Sequence, residues 1–164
     1  MAINRGKAFE RVIRDSFEKL HDVSVDRLHD QTSGYKSTSA NPCDFIVYKK
    51  PHIYYLECKA IHKNTLNFEA HITKNQWDSL LEKSEIDGVV AGVLCWWVDH
   101  DITKFIPIQM LQAMKENGGK SIAHDCIACN GYHAINISGV KKRVFFDYNM
   151  YDLFNAIENS RKVD

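Results

Sequence analysis

The chain has 164 residues, 45 % hydrophobic and 26 % charged, with 21 basic side chains balancing 21 acidic ones. That is one ordinary domain with enough apolar material for a core, which excludes a disordered tail, a collagen-like repeat and a disulfide scaffold. Zero net charge gives no hint of a nucleic-acid partner, and the lean of the two ends toward positive charge is what any globular protein can show.

In chain order, Phe9, Val12, Ile13, Phe17 and Leu20 recur at helical spacing behind Asn4, which predicts an amphipathic opening helix with Asn4 as N-cap. The charges in this segment fall where a signal peptide would have its apolar stretch. A short strand is expected at Ser24 to Leu28, then a polar loop from Asp30 to Pro42. Two strand-like runs, Cys43 to Tyr48 and Ile53 to Lys59, read as a hairpin with a four-residue loop. Thr73 with Gln76 three residues later is a capping-box pattern opening a helix that carries Trp77, Leu80 and Leu81 inward. Val89 to Val98 suits a central strand covered on both faces, with Trp96 or Trp97 in the core. The longest apolar run, Gly88 to Val98, is about half the ~20 residues a bilayer span needs. Ile102 to Ile106 is expected beside it, and Pro107 suits the first turn of a helix stopped by Asn117, Gly118 and Gly119. After an irregular stretch from Lys120 to His133 come strands near Ala134 to Ile137 and Arg143 to Phe146, and a helix from about Asn149 to Ile157. The expected fold is a single α/β domain over residues 1–164, a mixed β-sheet flanked by helices.

Five cysteines, at 43, 58, 95, 126 and 129, are an odd number and suit reduced thiols in a cytoplasm.

The hairpin carries the chemistry. With its loop centred between Lys50 and Pro51, Asp44 lies opposite Glu57, with Cβ atoms about 4.5–5.5 Å apart, close enough to share one divalent cation. Lys59 follows on the face of Glu57, roughly 6.5 Å further along. Two carboxylates with an ammonium beside them can hold a hard cation, activate water and stabilise charge developing on a phosphate, which points to phosphodiester hydrolysis. A solvated ion-pair ladder is the plain alternative, but Phe45, Ile46, Val47 and Ile53 to Leu56 make both strands apolar around the charges, a costly setting without compensation. The same register puts Cys43 opposite Cys58 on the other face, as small buried packing.

Pro42-Cys43-Asp44, twelve intervening residues, then Glu57-Cys58-Lys59 resembles the PD-(D/E)xK nuclease signature. Flanking features make the chain similar to Holliday junction resolvases of the RecU type: Asn4-Arg5-Gly6-Lys7 with Phe9-Glu10, Gln76 nineteen residues after Glu57, and Asn117 to Ile122 as a late loop. The resemblance implies a restriction endonuclease-like core and a homodimer cutting opposing strands of a four-way DNA junction in recombination and repair. It also implies Mg²⁺ dependence, with Mn²⁺ as substitute, and a bacterial or phage-infected cell. Asp44, Glu57 and Lys59 would inherit the catalytic roles, with Glu10 as a further acid and Gln76 joining Asp44 and Glu57 at the metal. Pairing of Glu10 with Arg14 and a purely capping Gln76 are the competing accounts. Gln31 to Ala40 corresponds to a projecting stalk, shortened here.

Arg5, Lys7, Lys36, Ser37, Thr38, Lys63 and Lys120 are the candidate contacts to the DNA backbone, each on the first helix, the polar loop or a loop near the acids. Two rival functions remain: a nicking or structure-nonspecific endonuclease of the same fold, and a non-enzymatic binding module built on zinc at His124, Cys126, Cys129 and His133.

Overall fold

The computed structural model describes residues 3–28 and 41–162; the expected stalk, with Lys36, Ser37 and Thr38, lies outside them. Helix α1 (Arg5–Glu18) is capped as expected, Asn4 Oδ1 accepting the Lys7 N–H at 3.2 Å, and buries Phe9, Ile13 and Phe17. Strands β1 (Ser24–Arg27), β2 (Phe45–Lys49) and β3 (His52–Ile61) follow, then β4 (Thr65–Asn67) and the one-turn α2 (Phe68–His71). Next come α3 (Lys74–Ser84), β5 (Val89–Trp97), β6 (Ile102–Pro107) and α4 (Ile108–Glu116). The last third holds β7 (Ser121–Ala123), β8 (Ala128–Cys129), β9 (Tyr132–His133), β10 (Ile135–Asn136), β11 (Gly139–Lys142), β12 (Phe145–Tyr148) and α5 (Tyr151–Arg161).

The central sheet has six strands in the order β1-β2-β3-β5-β6-β10; β3 and β5 are parallel and every other pair is antiparallel. Helices cover both faces, so the mixed α/β architecture is the expected one. One layer packs Phe9, Ile13 and Phe17 of α1 and Leu153 and Phe154 of α5 against Phe45, Tyr54, Leu56 and Trp96. The other packs Trp77 and Leu80 of α3 and Met110 and Leu111 of α4 against Val93, Cys95, Trp97 and Ile106. Trp96 and Trp97 therefore point to opposite layers, and both are buried. At Gly92 a Cβ would stand 2.3 Å from the Ile106 carbonyl and 2.7 Å from the Phe105 ring, so only glycine fits between β5 and β6.

The β2–β3 pairing runs from Phe45↔Leu56 to Lys49↔His52, the predicted register, with a two-residue turn at Lys50-Pro51 instead of four. Three small pairings occupy segments expected to be irregular or single strands: β4 with β7, β8 with β9, and β11 with β12. Among the described residues no helix is long and apolar enough to cross a membrane.

Candidate active site at the β2–β3 hairpin

The pairing of β2 with β3 stops at Phe45. One residue earlier, the Asp44 N–H donates to the Leu56 carbonyl at 3.1 Å, and Asp44 Oδ2 accepts the Cys58 N–H at 2.8 Å. A side chain thus takes the hydrogen bond a backbone carbonyl would have taken, which ends the strand and pins the carboxylate against β3. The break also corrects one expectation. Cys43 no longer alternates with Phe45 and packs into the α3–α4 layer, whereas Cys58 packs into the α1–α5 layer, so the two are not same-face neighbours. Both thiols are free, and burial pushes Cys43 up to about 12 and Cys58 well above the ordinary thiol range, so they are packing groups.

Glu57 sits in the middle of β3, paired with Val93 of β5 and one residue past the end of β2, at 2 % exposure. Its Oε1 accepts from two donors: Lys59 Nζ at 2.8 Å and Gln76 Nε2 at 2.7 Å. Lys59 reaches it because strand side chains two apart share a face. Gln76 reaches it from α3, and its other end completes the capping box, Oε1 accepting the Thr73 N–H at 3.0 Å while Thr73 Oγ1 accepts the Gln76 N–H at 3.2 Å. The two accounts of Gln76 are therefore not exclusive: the cap fixes the amide, and the amide fixes Glu57.

Burial first, and the negative charge of Glu57 second, push the Asp44 carboxyl up to about 7; the Cys58 N–H and the Lys59 ammonium pull the other way, and the charge of Glu10 adds to the rise. Glu10 lies on α1, but its Oε2 is bound by Arg27 of β1 at 2.6 Å, while Arg14 pairs with Asp15 and Glu18. The Glu10–Arg14 pairing is thereby replaced by one across seventeen residues, for which the sequence carries no local signal. Arg27 and the Cys58 N–H are the contributors that sequence reasoning missed.

Two carboxylates, with a repulsion between them that raises Asp44 and that a positive charge would relieve, fit a hard divalent cation. Asp44 and Glu57 would hold it. Among the described residues no three His, Cys, Asp or Glu side chains are grouped as a metal cage. The four candidate zinc ligands are dispersed, His124 stacking on His100 with ring centroids 3.9 Å apart and Cys129 lying beside Asn117 and Asn130.

The candidate DNA contacts are spread over both sheet faces. Arg5 is half-buried with its guanidinium 5.8 Å over the Phe145 ring, Lys7 is exposed on α1, and Lys63 and Lys120 are exposed at opposite ends of the β4–β7 pair.

No family model matches the sequence, and no curated protein does. Among solved structures, a Holliday junction resolvase from Archaeoglobus fulgidus aligns with a TM-score of 0.47 and 20 % identity, over 64 % of this chain and 78 % of its own.

Proposed function

We propose that this chain is a Mg²⁺-dependent endodeoxyribonuclease acting on branched DNA, two copies of which resolve a four-way junction by cutting opposing strands. The observation that carries the reading is the meeting of Lys59 and Gln76 on one oxygen of the buried Glu57, beside an Asp44 carboxyl pinned by a backbone N–H. A buried acid on an otherwise apolar strand is costly, and a cation-assisted hydrolytic site is the function that uses this cost.

Asp44 and Glu57 would hold the cation. When bound, it supplies Lewis-acid stabilisation of a phosphate oxygen and makes a nucleophile available from water at neutral pH. Gln76 keeps the Glu57 carboxylate in one orientation, as partners of metal-binding carboxylates do. Lys59, 2.8 Å from Glu57, would orient the attacking water and balance the negative charge that grows on the phosphate. Glu10 sets the local field beside Asp44 and, freed from Arg27, would stand as a third acid. Arg5, Lys7, Lys36, Ser37, Thr38, Lys63 and Lys120 grip backbone phosphates, which carry no sequence information, so selection rests on junction shape and on the spacing of two sites.

The test is cleavage of four-way, three-way, linear and single-stranded DNA of one sequence with Mg²⁺ and with EDTA. Paired symmetric cuts in the four-way junction, and none in EDTA, are the expected result. Equal cutting of all four substrates would make the enzyme a structure-nonspecific nuclease, and no cutting of any would remove the catalytic reading.

A further inference from the structure

The β11–β12 hairpin has no part in the site above. It stands outside the six-stranded sheet, and all four residues of β11 are exposed. Across its tip run three consecutive cations, Lys141, Lys142 and Arg143. Lys141 is engaged, ion-paired with Asp101 and 6.0 Å over the Phe146 ring. Lys142 and Arg143 are exposed and make no ion pair among the described residues.

The tip is also unusual as a turn. Arg143 adopts φ 37°, a left-handed conformation that glycine or asparagine takes at lower cost in a two-residue hairpin turn. A turn serving only to reverse the chain has no use for a guanidinium there. Val140 on β11 and Val144 in the turn are 64 % and 38 % exposed. The hairpin's second strand is well anchored: the Phe145 and Phe146 rings lie 5.8 and 6.5 Å from the Trp96 ring, and Lys19 Nζ bonds Asp147 at 2.6 Å.

The anchorage places the hairpin. Trp96 pairs with Ala60 and Asp101 follows the end of β5, so the cations stand at the Ala60 end of the sheet on its α1 face, opposite the face on which Gln76 of α3 meets Glu57.

We propose that the β11–β12 hairpin is a further contact to the DNA backbone, Lys142 and Arg143 each meeting a phosphate. The proposal rests on the endonuclease reading, and its test separates the two. Binding of the full chain to a labelled four-way junction is measured by fluorescence anisotropy in EDTA over a salt series. The slope of log affinity against log salt should fall by about 1.8 in the variant carrying Lys142→Ala and Arg143→Ala, about 0.9 for each phosphate left without its cation. The charge-conserving Lys142→Arg with Arg143→Lys should retain the slope, as should Lys50→Ala at the far turn between β2 and β3. If the double alanine variant melts early, Lys142→Gln and Arg143→Gln taken singly carry the test, each lowering the slope by about 0.9. A wild-type slope in neutralised variants that melt normally would overturn the hairpin contact alone. A wild-type chain that binds no junction would overturn the endonuclease reading and this contact together.

Discussion

Two hairpins in this molecule carry charge, and they do so on opposite terms. The β2–β3 hairpin is central to the sheet, its Phe45, Val47, Tyr54 and Leu56 are buried, and the charge at Glu57 is held at 2 % exposure by Lys59 and Gln76. The β11–β12 hairpin stands apart, with Lys142 and Arg143 in water. Charge in water costs little and attracts a polyanion at long range; charge taken out of water must be balanced by fixed partners, and that balance is what prepares a site for chemistry. In the proposed reading one hairpin reacts with a phosphate and the other holds one.

The sharpest break between them is in stability. Phe45→Ala in the buried hairpin should cost about 3–5 kcal/mol, read as a fall in denaturant midpoint; a small loss would mean that this hairpin does not carry the core. Next is Lys59→Ala, expected to lower cutting about 10²–10³-fold while junction binding in EDTA stays near wild type. A variant that cuts normally removes the lysine from the mechanism. Gln76→Ala should lower cutting about 10–100-fold and cost about 1 kcal/mol through the weakened cap; stability loss with full activity would reduce Gln76 to a capping residue. Smallest is Val140→Ala on the exposed hairpin, expected within about 0.5 kcal/mol of wild type.

The pH response sharpens the same contrast. Asp44 titrates at about 7 in the fold against 3.8 as its ordinary value, so its protonated form is the one the fold favours. Its contribution to stability is fully present below 3.8 and is lost as pH rises through about 7. The thermal midpoint of the metal-free chain should therefore fall over that window, and Asp44→Asn should flatten this part of the profile. Cation binding requires the carboxylate, so apparent Mg²⁺ affinity should rise with pH and level off above about 7. A midpoint that climbs with pH and is insensitive to Asp44→Asn would contradict the burial of this acid.

The buried hairpin was legible in the sequence because two apolar runs around a turn admit one register that keeps both faces covered, and the two-residue alternation of one strand brings Glu57 and Lys59 to one side. The Thr73–Gln76 cap was legible for the same local reason. Its reach to Glu57 came from the resemblance and not from spacing. The turn of Cys43 into the other layer was not legible, since it follows from a side chain, Asp44, displacing a ladder hydrogen bond. Nor was the Arg27–Glu10 pair, made between β1 and α1. The strands β4, β7, β8, β9 and β11 are two to four residues long, too short for a period to show.

Asp44 and Glu57 together binding a divalent cation is the central claim, and calorimetric titration of Mn²⁺ or Mg²⁺ into wild type, Asp44→Asn and Glu57→Gln at pH 8 tests it most directly. The predicted result is cation binding to the wild-type chain that either substitution removes, with both variants folded. Undiminished binding in the two variants, or none in the wild type, would contradict it.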